Sequence, residues 1–470
     1  MKFPNRWITP DISDDKVIAM SNVLLLISDE HNPFYSSVYG HPAMLTPNME
    51  ALASQGTIYT AYCPSPLCMP CRSAFLSGRR VHQIQTYSNC TVNVDRMIPS
   101  YGKVLSEQGI HAVTAGKSHV YCATEDLGFT ETLAAGEFNA IGDTENRRNP
   151  LKIRDNAANR ANGFGPDDRT ASGDRATVDA AIDWIKNKAP ALDRAWVLAV
   201  NINNPHFPHV TPQKFWDLYP GGGDLPTHTG DCESANHPRA LDLRKHFETD
   251  LFHEDQVRGL RRGYRGCVSF VDHQLGRMIM ALKQSGCFDE TNVIYTSDHG
   301  EMLGKFGMWW KCSLYEDSVR IPCIAAGPDH GSGRRNLTLI DLHDVQASIF
   351  ASTGAERPSD WIGTPLQNLG EAEAFRIVFS EYHGHGARAS SFMIRQGDWK
   401  YIHHIDAPHQ LFNLKEDPDE LSNVFDSDSS RAESMEGYLR QICDPAAENK
   451  RAENFINKQL EQVERHGSER

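Results

Sequence analysis

Residues 68–79 of this chain read Cys-Met-Pro-Cys-Arg-Ser-Ala-Phe-Leu-Ser-Gly-Arg, a stretch that predicts a helix with a thiol at its start. Pro70 has the fixed φ that suits the first turn of a helix, and Gly78 suits the position that follows its end. Cys68 is therefore expected at a helix N-terminus, where free N–H groups and the helix dipole favour an anion. Arg72 follows one turn later and can face the same pocket. The pattern predicts a nucleophile that faces an oxyanion.

Two other interpretations of these residues remain open from this stretch alone. Cys68 and Cys71 form a C-x-x-C pattern in front of a helix, as in thiol oxidoreductases of the thioredoxin type. Cys63 lies shortly upstream, so the three cysteines could instead belong to a zinc site. The remainder of the chain has to decide among the three.

Length and composition are those of an ordinary soluble globular protein. A chain of 470 residues favours one large domain and a smaller one, and 40% hydrophobic with 23% charged residues is typical of globular proteins. The formal net charge of -14 argues against a nucleic-acid partner, because no broad positive field would attract phosphates. An anionic substrate would therefore need a local positive pocket.

The cellular location is predicted from three features of the sequence. Residues 1–22 contain no apolar segment after their basic residues, so they do not resemble a secretory signal. The longest apolar run, residues 23–27, is too short to span a bilayer. Eleven cysteines without the spacing of a disulfide framework suit a reducing compartment. We predict a soluble cytoplasmic protein that has no membrane or nucleic-acid partner.

Four short apolar runs predict strands that are buried on both faces, namely residues 23–27, 111–115, 196–200 and 292–296. Helical stretches are predicted between them at residues 47–55, 101–108, 175–188 and 258–285. This alternation implies an α/β fold with a large, mostly parallel sheet flanked by helices. Polar residues follow each run at once, and ligands bind outside the carboxyl ends of such strands. We therefore expect one common site there.

The other segments complete the predicted organisation. Residues 137–173 and 220–239 are polar and predict long loops, which are either lids or specificity elements or mobile surface insertions. Short segments at residues 375–381, 392–395, 399–405 and 410–414 predict a small antiparallel sheet, and residues 430–470 predict a helical tail. The predicted domains are a catalytic α/β domain at residues 1–365 and a small C-terminal α+β domain at residues 366–470.

The stretch at residues 68–79 resembles the signature of the type I sulfatases, in which Cys-x-Pro-x-Arg opens a helix that a Gly-Arg pair closes. Cys71 departs from it, because serine or alanine is commoner there. Residues 308–322 and 410–420 resemble further signatures of this family, so the resemblance runs from about residue 21 to residue 426. Neither the thioredoxin nor the zinc interpretation explains these additional matches. The resemblance implies an alkaline-phosphatase-like fold. Within the family, the chain resembles the choline-sulfatase and phosphonate monoester hydrolase branch.

This resemblance implies two cofactors. Cys68 would be converted to formylglycine by a formylglycine-generating enzyme, and its hydrated aldehyde would attack the substrate. A divalent metal would be held by four residues at strand ends: Asp29, Glu30, Asp298 and His299. Calcium is the first expectation because three of these residues offer oxygen ligands. Manganese is the alternative, because His299 adds a nitrogen ligand.

The resemblance also implies roles for polar residues elsewhere in the chain. Besides Cys68, the implied catalytic residues are Arg72, Lys117, His119, His206 and Lys311. Asn89 corresponds to a substrate contact, although a turn-forming asparagine is the alternative. His209 is assigned a structural role. Four further residues, Glu381, Tyr382, His383 and His385, are expected at the surface, and the alternative is that they reach the pocket from the small domain.

Together these residues predict a hydrolase, a sulfatase that releases inorganic sulfate and an alcohol from a small anionic sulfate monoester. The alternative is a phosphonate monoester or phosphodiester hydrolase that uses the same catalytic residues. A C-x-x-C thiol oxidoreductase is a distant alternative. The oligomeric state, a homo-oligomer included, is left open by the sequence.

Overall fold

A computed structural model of the chain describes residues 20–136, 138–373 and 375–468. The prediction that the N-terminus is not a secretory signal depends mainly on residues 1–19, which lie outside the described residues. The end of the predicted helical tail, residues 469–470, lies outside them as well. None of the helices in the described ranges has the length and apolar character needed to cross a bilayer.

Strands occupy the following segments: β1 (Asn22–Asp29), β2 (Gly56–Tyr62), β3 (His111–Gly116), β4 (Glu131–Ala135), β5 (Phe164–Pro166), β6 (Trp196–Pro205), β7 (His209–Thr211), β8 (Thr291–Ser297), β9 (Arg320–Ile321), β10 (Cys323–Ala326), β11 (Arg334–Asp341), β12 (Ile377–Tyr382), β13 (Ser391–Gln396), β14 (Trp399–His404) and β15 (Gln410–Asn413). Helices occupy α1 (Pro47–Ser54), α2 (Cys68–Ser77), α3 (Val81–Ile84), α4 (Tyr101–Glu107), α5 (Arg169–Asn187), α6 (Gln213–Trp216), α7 (Glu233–Asn236), α8 (Pro238–Phe247), α9 (Glu254–Ser285), α10 (Glu316–Val319), α11 (Leu342–Thr353), α12 (Ser429–Ile442) and α13 (Pro445–Ser468).

The large sheet confirms the predicted fold class. Its strand order is β11-β2-β10-β8-β1-β6-β3-β4, and β9 pairs with β2. β1 runs parallel to both β6 and β8, and β3 runs parallel to both β6 and β4. Only the short strands β9 and β10 pair antiparallel with their neighbours. All four apolar runs identified in the sequence therefore lie side by side at the centre of the sheet.

The central strand β1 shows why the sheet is covered on both faces. Its alternate residues point in opposite directions, as in any strand. Leu24 and Leu26 pack in one core with residues of α1, α5 and α9. Val23 and Leu25 pack in another core, with residues of α2, α4 and α11. Because both faces are apolar, β1 is a continuous apolar run rather than an alternating one.

Two segments predicted as long loops contain more regular structure than expected. Residues 137–173 include strand β5 and the first turn of α5, which begins at Arg169. Residues 220–239 include α7 and the start of α8 at Pro238. The prediction of long loops missed these short elements because they are polar and have little apolar periodicity of their own. Strand β5 packs against α9, and α7 packs against α8.

The small antiparallel sheet is confirmed at the C-terminal end, with the strand order β12-β13-β14-β15. One of its faces packs on α12, where Phe392 and Ile394 share a core with Met435 and Leu439. A buried ion pair joins the small sheet to the large domain, because Lys400 Nζ lies 3.1 Å from a carboxylate oxygen of Glu316. The division at residues 365 and 366 stays a prediction.

Gly78 is predicted to be essential for the stability of α2. It follows the helix with φ 62°, and a Cβ atom there would lie 2.6 Å from the buried ring of Trp361. Backbone strain and overpacking together should lower the free energy of unfolding of Gly78→Ala by about 2–3 kcal/mol, measured by chemical unfolding. The matched control is Gly437→Ala, an exposed position inside α12 with no atom near the added methyl group. Equal stabilities of the two variants would contradict this assignment.

Candidate active site

The site lies where the central parallel strands end. Asp29 is the last residue of β1, and Asp298 directly follows β8. Lys117 follows β3, and His206 follows β6. These strands are neighbours in the sheet, so four residues that are distant in sequence meet at one edge. Glu30 turns the chain away from β1 with a positive φ of 70°, an uncommon backbone conformation that concentrates at functional sites.

Cys68 is the first residue of α2 and lies at the bottom of a cavity. The preceding residue, Leu67, has an apolar side chain that forms no capping hydrogen bond with the helix. Asn89 takes over this task, because its Oδ1 accepts a hydrogen bond from the Met69 N–H at 3.1 Å. Asn89 also lines the cavity. Its helix-capping contact was not predicted, since it joins residues that are separated by a helix and a turn.

Two carboxylates and an imidazole surround the sulfur of Cys68. His299 Nε2 lies 3.2 Å from Sγ, and Asp29 Oδ1 lies 3.7 Å from it. His299 Nε2 also lies 3.7 Å from Asp298 Oδ1. One possible ligand atom of each of these four residues lies within 4.8 Å of all the others, and Glu30 joins Asp29 and His206 in a second such group. Hard divalent cations prefer such buried, convergent carboxylate oxygens, so this donor set fits a metal ion.

Arg72 joins the two distant aspartates. Its Nε donates to Asp298 Oδ2 at 2.8 Å, and one terminal nitrogen donates to Asp29 Oδ2 at 3.3 Å. Lys117 donates a second hydrogen bond to the same oxygen of Asp29. Burial raises the pKa of Asp29, but Lys117, His206 and Arg72 outweigh burial and hold that pKa below its usual range. Asp29 is therefore ionised at neutral pH.

Lys311 and His206 form a second polar group on the wall of the cavity. Lys311 Nζ lies 2.9 Å from Glu30 Oε2 and 2.5 Å from His206 Nε2. His206 Nδ1 lies 2.6 Å from the carbonyl oxygen of Phe207, so Nδ1 donates and Nε2 is left to accept from Lys311. Burial raises the pKa of Glu30, but Lys311 and His206 outweigh it and lower the pKa to about 2.

The environment of Cys68 favours an anion at this position. Burial raises the pKa of its thiol, but Lys311, His299 and Lys117 outweigh burial and hold the pKa well below its usual value. His119 also lowers the pKa of Cys68, and its backbone has a positive φ of 45°. The structure thus brings every predicted catalytic and metal-binding residue, and Asn89, to the same cavity or to its floor.

The redox and zinc interpretations find no support in this geometry. Cys71 points away from the cavity and donates to the carbonyl oxygen of Asp298 at 2.8 Å. Burial raises the pKa values of both Cys71 and Cys63 well above those of reactive thiols. All eleven cysteines are free, and the group of potential metal ligands in the described residues contains Cys68 but neither of the other two.

The surface location expected for Glu381 and its neighbours is wrong. Four polar residues at the end of β12 are buried: Glu381, Tyr382, His383 and His385. Glu381 accepts hydrogen bonds from His82 at 2.9 Å and from His383 at 2.9 Å, which compensates for its burial. His385 lines the cavity. The partners lie far apart in sequence, so the pattern gave no sign of this pairing.

His209, assigned a structural role, is fully buried and packs against the rings of Tyr264 and Trp310, with ring centres 5.2 and 5.5 Å away. Sequence reasoning missed Glu301, which is buried behind Glu30 and accepts hydrogen bonds from the Trp310 and Leu303 N–H groups at 2.6 and 2.9 Å. Its place next to the polar residues that end β8 was the available signal.

The cavity above the site has a volume of about 1330 Å³. Its walls come from the ends of β3 and β6, from the loop before α5, from α8 and from the small domain through His385. Arg154 and Arg160 lie on this wall, and sequence reasoning had assigned them no function. A cavity of this size accommodates a substrate considerably larger than the sulfate group.

Comparison with known proteins agrees with this geometry. The family model described as Sulfatase matches residues 21–355, and the model described as N-sulphoglucosamine sulphohydrolase, C-terminal, matches residues 304–443. The chain belongs to the sulfatase family. Membership makes this sulfatase a sulfuric ester hydrolase, in a family that generally uses formylglycine and a divalent metal.

Relatives and solved structures match this sulfatase over most of its length. It is 28% identical to a choline-sulfatase of Rhizobium meliloti (strain 1021), over 92% of this chain and 86% of that protein. It is 25% identical to an arylsulfatase K of Danio rerio, over 93% of this chain and 87% of that protein. The crystal structure of the phosphonate monoester hydrolase of Agrobacterium radiobacter superposes with a TM-score of 0.71 at 21% identity, covering 92% of this chain and 96% of that one. This last likeness shows the fold.

Metal content should depend on the carboxylates of this site. Asp298→Asn removes a negative charge while keeping the side-chain shape, so we expect well under one divalent ion per chain after dialysis, measured by elemental mass spectrometry. The control is Asp360→Asn, which alters an exposed aspartate paired with Arg79 and should leave the metal content unchanged. Circular dichroism verifies that both variants fold. Full metal content in folded Asp298→Asn would exclude Asp298 as a ligand.

Proposed function

We propose that this sulfatase hydrolyses a small sulfate monoester, using formylglycine derived from Cys68 and a divalent metal held by Asp29, Glu30, Asp298 and His299. One observation carries the proposal. The side chain at position 68 starts a helix and lies 3.2 Å from His299 and 3.7 Å from Asp29, two residues at the ends of different strands. Calcium is the first choice because most of the ligand atoms are carboxylate oxygens, and manganese is the alternative.

Each cofactor has a defined contribution. The hydrated aldehyde of formylglycine supplies an oxygen nucleophile in place of the thiol. A metal held by these residues would supply positive charge that polarises the ester. Conversion of Cys68 requires a formylglycine-generating enzyme as a partner. A cytoplasmic location is part of the proposal and is supported by the eleven free cysteines.

The cationic side chains bind the sulfate group and stabilise charge that develops on it. Arg72, Lys117 and Lys311 approach position 68 from three sides, and each is held by a carboxylate of the site. Their positions are thus set before the substrate enters, so little reorganisation accompanies the reaction. A chain of net charge -14 needs such a local positive cluster to attract an anionic ester.

Proton transfer to the departing alcohol is assigned to His206. Its Nε2 accepts a hydrogen bond from Lys311 Nζ at 2.5 Å on the cavity wall, so a proton of Lys311 can pass through the imidazole to an oxygen of the substrate. His119 contacts position 68 from another side and is assigned the removal of a proton there. Asn89 caps α2 and lines the cavity, so we assign it a contact with the substrate as well.

The order of substrate classes can be tested directly. We expect kcat/KM to be highest for an aryl sulfate and lower for an aryl phosphonate monoester and a bis-aryl phosphodiester, because the family and the relatives are mainly sulfatases. The same cationic groups would bind all three, so detectable activity on the phosphorus esters is expected too. Initial rates of phenol release from esters with the same leaving group provide the ranking. A faster phosphodiester would reverse the proposed order.

The two cysteines of the C-x-x-C pattern should differ sharply. Cys71 donates to a backbone carbonyl and does not face the substrate, so Cys71→Ser should keep most of the sulfatase activity if the modifying enzyme accepts it. Cys68→Ala should abolish the activity, because it removes the precursor of the nucleophile. Mass analysis of the peptide around residue 68 reports the conversion in each protein. An unconverted but fully active Cys68, or loss of activity with Cys71→Ser despite conversion, would refute the formylglycine mechanism.

A further inference from the structure

The cavity extends beyond the reacting centre to a wall on which Arg160 contacts three aromatic rings. The Cζ atom of its guanidinium lies 5.2 Å from the ring centre of Phe207, 5.5 Å from that of Phe247 and 5.5 Å from that of Trp310. All four residues line the cavity. The aromatic faces hold the guanidinium in place, since a cation over a ring is attracted by the ring's quadrupole.

Arg160 is not in contact with a carboxylate of the described residues. Within those ranges, its guanidinium has neither a hydrogen bond nor an ion pair, and its nitrogen atoms are not sealed from the cavity. Burial lowers the pKa of Arg160 and Arg154 acts in the same direction, whereas Glu30 and Asp143 oppose them without forming an ion pair with the guanidinium. Arginine nevertheless stays charged in proteins. A fixed guanidinium with free N–H groups in a cavity is a donor set that suits an oxyanion.

The acidic residues on the same wall already have cationic partners. Asp143 Oδ2 lies 2.8 Å from a guanidinium nitrogen of Arg154. A carboxylate oxygen of Glu145 lies 3.6 Å from Lys152 Nζ. Burial raises the pKa of Asp143, but His385 and Arg154 outweigh burial and lower the pKa to about 2. These acids are therefore neutralised by neighbours, and Arg160 provides the unmatched charge of this wall.

Arg160 lies on the side of the cavity where the alcohol part of the substrate would leave. Phe207 directly follows His206, and Trp310 directly precedes Lys311. His206 and Lys311 are the residues assigned to the leaving group, so the rings beneath Arg160 adjoin that side of the reacting centre. A group carried by the alcohol would thus extend toward the guanidinium.

Building on the proposed function, we propose that Arg160 binds a second oxyanion on the alcohol part of the substrate, either a carboxylate or a second sulfate ester. The substrate class is then a dianion rather than the sulfate ester of a quaternary amino alcohol. A quaternary ammonium would need the aromatic faces that Arg160 covers, and it would be repelled by the guanidinium.

Kinetics on matched esters test this assignment. The substrates are phenyl sulfates with a carboxylate at the ortho, meta or para position, and the methyl ester of each, with phenylene disulfates as the second-sulfate arm. A charge-assisted hydrogen bond should raise kcat/KM about ten-fold for the charged member of at least one pair. Arg160→Gln should remove most of this preference, and Arg160→Lys should retain part of it. The control Arg147→Gln alters an exposed arginine paired with Glu464 and should keep the preference.

Binding without turnover provides a second measurement. In Cys68→Ala with calcium present, titration calorimetry should show tighter binding of the favoured carboxyphenyl sulfate than of its methyl ester, and Arg160→Gln in that background should abolish the difference. Three outcomes would overturn the inference while leaving the sulfatase assignment intact. In the first, kcat/KM is equal for the charged and the neutral member of every pair. In the others, Arg160→Gln lowers kcat/KM equally for both members, or choline sulfate is the preferred substrate. Hydrolysis of none of the sulfates would refute the proposed function, and the binding difference would then decide the inference alone.

Discussion

The active site depends on one buried guanidinium. Arg72 projects from the helix that begins with Cys68 and donates to Asp298 at 2.8 Å and to Asp29 at 3.3 Å. It therefore connects the helix that carries the nucleophilic position with the ends of two parallel strands. Two buried aspartates next to each other would repel one another strongly, and a shared cation with directional N–H groups offsets that repulsion. Removing such a partner from a buried charge cluster is far more damaging than losing a surface ion pair.

The same balance of charge extends outward from Arg72. Lys117 binds Asp29, and Lys311 binds Glu30, so these two carboxylates of the candidate metal site each have a cationic neighbour on the cavity side. The arrangement explains how a strongly acidic chain can present a positive pocket to an ester of sulfuric acid.

Much of the fold and of the reacting centre could be predicted from sequence because their signals are local. A buried parallel strand is a short apolar run, and the residues after it lie at the ligand-binding edge, so Asp29 and Asp298 could be placed together before any coordinates. The burial of Glu381 and the free charge of Arg160 could not be predicted. Each depends on partners supplied by distant segments, the histidines around Glu381 and the three rings around Arg160.

The reacting centre and the wall around Arg160 differ in how far their positions can be predicted from local sequence. The reacting centre consists of strand ends and a helix start, whose positions follow from the sheet and tolerate little variation. The wall around Arg160 consists of a polar connection, the end of α8 and the rings of Phe207 and Trp310, and the polar connection is held by pairings such as Asp143 with Arg154. A connection of this kind can change its charges without disturbing the sheet. Similarity to sulfatases therefore supports hydrolysis of a sulfuric ester, whereas the alcohol that leaves has to be inferred from the charges of the wall itself.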